Sequence, residues 1–195
     1  MPLKSAEYVQ RELFQWGSLG VKGHFTGDYP WMPYHEFLAQ GFSDIVGASK
    51  DEVVAMNTLT ANLHFMMVSF YRPTQARHKI LIEEHAFPSD HYAVESLINF
   101  HGFNPEESML LIKPREGEEL IRTEDVLALI EQQGESIALI MLPGVQCYTG
   151  QVFDMQSITQ VGHEKGCMVG FDLAHAAGNI VLKRYYSQAI SFRSG

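Results

Sequence analysis

The sequence predicts an α/β fold in which a mostly parallel sheet carries helices on both faces. From about residue 51 onward, short apolar runs of strand length alternate with segments of helical spacing. Those runs are apolar almost throughout, as strands buried on both faces are. The segments between them carry helix start and stop residues.

Ala6 to Trp16 has a helical pattern, with Tyr8, Val9, Leu13, Phe14 and Trp16. Residues 17–34 hold Gly20, Gly23, Gly27, Pro30 and Pro33 and read as a loop; one of that length is usually functional or mobile. Tyr34 to Ile45 reads as a second helix. Thr58 is the expected N-cap of an apolar helix running to about Phe70. Lys79 to Glu83 is a strand between polar flanks, and 89–101 a helix. Ser108 to Ile112 is a second strand, closed by Lys113-Pro114. Thr123 is the expected N-cap of a helix with acidic residues in its first turn, and Gly134 sits where a C-terminal glycine belongs. Ser136 to Leu142 is a third strand, Ile158 to Lys165 a helix ended by Gly166, and Cys167 to Asp172 a fourth strand. The chain divides into an N-terminal helical and loop segment (1–50), a sheet-forming region (51–182) and a tail (183–195).

The chain has 195 residues, 46% of them hydrophobic, enough for one domain with a core. A net charge of −9 argues against a nucleic-acid partner. Two cysteines do not make a disulfide framework, so a reducing compartment is expected. The N-terminus lacks an apolar leader pattern, and no apolar stretch reaches the roughly 18 residues of a membrane span. The expectation is a soluble, cytoplasmic protein.

In such sheets a ligand sits beyond the carboxyl ends of the strands. That rule selects Phe87 to Asp90, Pro143 to Thr149, and Asp172 to His175. Asp172 ends the strand Val-Gly-Phe-Asp, where a buried anion can hold the proton on a heterocyclic nitrogen. It can equally cap the turn that follows, through Ala174. Phe87 can stack on a planar ring, and Ser89 or Asp90 can reach the ring's substituents. Alternatively Pro88 simply opens the next helix, with Ser89 and Asp90 supporting its first turn. The helix start near Thr58 to Thr60 offers amide groups and hydroxyls to a phosphate, although most capped helices bind nothing. His175 follows Asp172 by three residues and can share its ligand. The nine histidines show no zinc spacing, and neither a dinucleotide fingerprint nor a nucleophile elbow occurs.

Several of these segments together resemble one family. MNTLTANLH (56–64), AFPSDHYAVES (86–96), MLLIKPREGEE (109–119), YTGQ (148–151) and VGFDLAHAAGN (169–179) are similar to kynureninase, and the similarity runs from about residue 5 to residue 182. The resemblance implies part of the large domain of an aspartate-aminotransferase-like (fold type I) enzyme with pyridoxal 5′-phosphate (PLP) as cofactor. It implies a homodimer that hydrolyses L-kynurenine or 3-hydroxykynurenine to anthranilate or 3-hydroxyanthranilate plus alanine. By the same resemblance Leu59 and Thr60 hold the phosphate, and Phe87, with Pro88 and Ser89 beside it, stacks on the ring near Asp90. Asp172 pairs with the ring nitrogen, His175 lies beside the cofactor, and His24 contacts substrate.

Three departures from the family pattern stand out. A Gly-Asn-Ser-Leu-Gly segment that precedes the first helix in the family has no counterpart here. Pro143 stands where the family offers a small hydroxyl residue, and proline has neither hydroxyl nor N–H to give. The family's Tyr-Lys pair, whose lysine forms the Schiff base, is expected beyond the end of this chain. Lys183, with no Tyr before it, is no substitute. The expectation is therefore an incomplete and inactive form; the alternative is a non-catalytic protein that binds PLP or partner subunits.

Overall fold

The computed structural model describes residues 2–182 and, as backbone, residues 190–192. Helix α1 (Ser5–Leu19), a 3-10 turn (Gly20–His24) and helix α2 (Tyr34–Val46) form the N-terminal segment. The loop read over 17–34 is tightly folded. Trp31 donates its indole N–H to Glu12 at 3.0 Å and lies on Gly23, where a Cβ would come within 2.6 Å of the ring. Glycine is required there because the indole occupies the side-chain position.

Then follow α3 (Leu59–Phe70), β1 (Lys79–Glu83), α4 (Pro88–Phe100), α5 (Pro105–Ser108), β2 (Met109–Ile112), α6 (Thr123–Gln133), β3 (Ile137–Pro143), α7 (Met155–Glu164), β4 (Met168–Asp172) and β5 (Ile190–Phe192). The strands form one sheet in the order β2-β1-β3-β4-β5, parallel at every pairing. Alternate residues face opposite ways, so the central strands β1 and β3 feed two cores. Ile80, Ile82, Leu139 and Met141 pack under α3 and α4 with Leu63, Met67, Val94 and Ile98. Leu81, Ile140, Leu142, Val169 and Phe171 pack under α6 and α7 with Val126, Ile130 and Ile158. The expected parallel sheet covered on both faces is what forms.

Thr58 is the N-cap of α3 as expected, with extended backbone and no side-chain cap bond. Other local expectations are corrected. Arg122 rather than Thr123 holds the cap position of α6, and Thr123 is that helix's first residue. Gly134 is right-handed (φ −53°) and opens a 3-10 turn instead of ending the helix in the left-handed region. A Cβ there would lie 2.6 Å from Lys165, so close packing is what demands the glycine. Helix α7 begins at Met155, because Asp154 accepts from the Ser157 amide at 3.1 Å and starts the helix earlier than its apolar pattern does. Gly166 is left-handed (φ 73°) as expected. Strand β5 lies in the segment read as a tail, with Gly170 opposite Ile190. Lys183 lies outside the described residues.

One side chain ties the amino end of the sheet together. Arg77 donates to the carbonyls of Gly134 (3.1 Å), Ile137 (2.8 Å) and Lys165 (2.9 Å), joining the approaches to β1, β3 and β4. Arg77→Met keeps the stem and removes all three bonds. Hydrogen bonds to a charged donor contribute about 1.5–3 kcal/mol each, with losses that overlap. A destabilisation of about 2–4 kcal/mol by chemical denaturation is expected, and a loss under 0.5 kcal/mol would show that Arg77 does not hold these strands together.

Candidate functional site

The strand order places the site. From β1 the chain crosses to β2 on one side, then returns to β3 on the other, so the connections leave β1 and β3 in opposite directions. A crevice opens at the carboxyl ends of the two strands where such a reversal occurs. Glu83 ends β1 and Pro143 ends β3. The cleft found there is lined by Glu83, Phe87, Asp90, Pro143, Asp172 and His175 among others.

Each wall has a local cause. Pro88 at the first position of α4 has the backbone angle a helix start needs and no N–H to strand. Phe87 becomes the N-cap and points its ring into the cleft mouth, 45% exposed. Asp90 falls in the first turn of α4, buried, where the helix dipole favours an anion. Asp172 is the last residue of β4, level with Pro143 in the sheet. One of its oxygens accepts from the Ala174 amide at 2.7 Å. The turn-capping and ligand-facing readings of Asp172 therefore hold together. His175 stands opposite Phe87, the ring centroids 6.4 Å apart.

The cleft is acidic. No lysine or arginine is among the described residues that line it. Burial pushes the Glu83 carboxyl up to about 8, with the charges of Asp90 and Asp172 adding to the rise. Burial, then the charge of Asp172, pushes Asp90 up to about 7, against the bond it accepts from the Ser89 hydroxyl at 3.2 Å. Burial also raises the Cys147 thiol. Three carboxyl groups, Glu83, Asp90 and Asp172, thus share one apolar-walled cleft.

The structure brings Phe87, Pro88, Ser89, Asp90, Asp172 and His175 to one end of the sheet. Leu59 and Thr60 stand at the start of α3 and are not among the cleft's lining residues; Thr60 is exposed. His24 is exposed and packs edge-on against Trp31 at 5.3 Å within the N-terminal segment, also outside the lining. Sequence reading missed Glu83. Its signal was the one that singled out Asp172, a carboxylate closing an apolar strand, but it read there as a polar flank. Gln146 and Cys147 lie in the segment Pro143 to Thr149 that the strand-end rule selects, but nothing singles them out within it, since only the folded loop turns them inward.

No protein-family profile matches the chain. Among curated proteins, a kynureninase from Koribacter versatilis is 60% identical over 176 residues, covering 90% of this chain and 42% of that protein. One from Myxococcus xanthus is 56% identical over 181 residues, 93% of this chain and 42% of that protein. The kynureninase of Homo sapiens is 53% identical over 175 residues, 90% of this chain and 38% of that protein. The chain thus spans about two-fifths of the length of the curated relatives it matches. Among solved structures, a cystine C–S lyase in complex with cysteine persulfide superposes with TM-score 0.75 at 15% identity, over all of this chain and 50% of that one. A cysteine desulfurase from Thermococcus onnurineus gives TM-score 0.68 at 15% identity, over 92% of this chain and 44% of that one. At that identity the likeness is one of fold, and the fold is part of the aspartate-aminotransferase-like large domain, as the sequence led one to expect.

Proposed function

Homologous to kynureninases over nine-tenths of its length, this chain, we propose, supplies the cofactor cleft of a kynureninase-type hydrolase. The enzyme would use PLP to cleave L-kynurenine or 3-hydroxykynurenine to anthranilate or 3-hydroxyanthranilate and alanine. The observation that carries the reading is Asp172: a buried carboxylate at the end of β4, one oxygen held by a backbone amide, in a cleft without lysine or arginine among its described lining residues.

The residues present fit that group. When bound, PLP supplies an electron sink that is deeper while its ring nitrogen keeps a proton. Asp172 would hold that proton, its carboxylate oriented by the bond it accepts from the Ala174 amide. Phe87 would cover one ring face and keep water from it. Asp90, with Ser89 beside it, would bear on the ring edge, and His175 would close the side opposite Phe87. The start of α3 would hold the phosphate through its free amides, with Leu59 and Thr60. His24 would reach substrate from the N-terminal segment.

A homodimer is part of the proposal. Tyr8, Val9, Leu13, Phe14 and Trp16 of α1 are exposed and no residue of that helix is buried, a surface suited to a partner subunit. A cytoplasmic setting accords with Cys147 and Cys167, both free thiols. Among the described residues no helix is long and apolar enough to cross a membrane.

Equilibrium titration with PLP, followed by its absorbance, tests the site. Thr60→Ala is expected to weaken PLP binding by about 1.5–3 kcal/mol, the scale of a hydrogen bond to a charged group. A dissociation constant equal to wild type would remove Thr60 from the phosphate site.

A further inference from the structure

The loop between β3 and α7 is hung from the neighbouring strands at two points. Its first residue, Gly144, donates its amide to the Asp172 carbonyl at 2.8 Å. A Cβ at Gly144 would lie 2.8 Å from Leu173 and 2.9 Å from Ala176, so the loop leaves the sheet pressed against the turn that follows Asp172. From there it folds into a small hairpin, Val145 bridging Val152 in antiparallel sense.

The second point is the Gln146 side chain, which is 5% exposed. Its carbonyl oxygen accepts from the amides of Tyr148 at 2.7 Å and Thr149 at 2.8 Å. Its NH2 group donates to the His85 carbonyl at 2.9 Å. His85 lies in the loop between β1 and α4, two residues before Phe87. One amide therefore braces the hairpin with one end and grips the opposite cleft wall with the other. Both ends are buried polar contacts, so neither is released without leaving a partner unpaired.

We infer that Gln146 is a positioning residue of the cleft. It fixes the distance between the wall bearing Phe87 and Asp90 and the wall bearing Val145 and Cys147. That distance decides how closely a flat heterocycle is gripped, because stacking weakens steeply once a gap of even half an ångström opens. The inference rests on the reading of the cleft as a PLP site. The strand-end rule selects its segment, Pro143 to Thr149, but the role of the residue arises only from two loops meeting.

Substitution separates the two ends of the amide. Asparagine at position 146 can still accept from the amides two and three residues on, as Asn does in turns. Being one methylene shorter, it falls short of the His85 carbonyl. Gln146→Met removes both contacts. Amide hydrogen exchange on the unliganded protein should show Tyr148 and Thr149 protected in Gln146→Asn and exposed in Gln146→Met. PLP titration should show both variants weakened about tenfold, with the melting temperature of Gln146→Asn close to wild type. A Gln146→Asn variant that binds PLP as tightly as wild type would overturn the positioning role and leave the cofactor reading standing. A wild-type chain that takes up no PLP would overturn both.

Discussion

Asp172→Asn is expected to leave the sheet intact and to cost a full-length enzyme carrying these residues about two to four decades of turnover. Asparagine matches aspartate in shape, and its side-chain oxygen can still accept from the Ala174 amide, the bond that holds Asp172 to the turn. What it lacks is the charge. Removing one partner of a buried ion pair costs about 3–5 kcal/mol, and each 1.36 kcal/mol is tenfold in rate. The loss falls on the proton of the ring nitrogen, so PLP should still bind while anthranilate release collapses. A second readout needs no catalysis. The charge of Asp172 is one of the causes that raise Asp90, so the Asp90 carboxyl should titrate lower in the variant, by NMR of its side-chain carbon. Turnover within threefold of wild type would take Asp172 out of the mechanism, and an unmoved Asp90 would mean the two carboxyl groups do not face each other.

The parallel sheet was legible because its strands are apolar without alternation, and because strand ends are marked by charge: Glu83 ends β1 and Asp172 ends β4. The half of the site made by Phe87 to Asp90 and by Asp172 to His175 was legible for the same reason, since strand-end rules need no knowledge of loops. Strand order is a different kind of information. Nothing in the runs themselves says that β1 and β3 are neighbours, yet that adjacency creates the crevice and makes Glu83 a wall of it. The strand-end rule reached the segment of Gln146 but not its role, because its two partners are its own hairpin and a carbonyl 61 residues away. Thr123 and Gly134 mislead in another way. Each is a residue type that favours a helix end, but Thr123 is the first residue of α6 rather than its cap, and the glycine at 134 is demanded by packing against Lys165 rather than by a left-handed turn.

Glu83→Gln is expected to stabilise the ligand-free protein at pH 8 by on the order of 4 kcal/mol and to change little at pH 4. The Glu83 carboxyl is raised from 4.5 to about 8, chiefly by burial, so the folded chain keeps a proton that the unfolded chain releases. Below the unfolded value both states hold the proton and the group has no cost. As pH rises through the window from 4.5 to about 8, the folded state binds the extra proton and stability falls, by up to about 1.4 kcal/mol per pH unit. Asp90, raised from 3.8 to about 7, acts with the same sign over a slightly lower window. The unliganded protein should therefore be less stable at pH 8 than at pH 5, where a protein stabilised by paired carboxylates would show the reverse. Glutamine is neutral at every pH and close to glutamic acid in shape, so it removes the Glu83 part of that slope and leaves the Asp90 part. Chemical denaturation at pH 5 and pH 8, in both proteins, isolates the difference. Saturation with PLP should narrow it, because a cationic ring beside Asp172 offsets the negative charge that helps hold the Glu83 proton. Parallel stability curves for Glu83→Gln and wild type would mean that Glu83 is solvated in the folded state, and would take it out of the cleft.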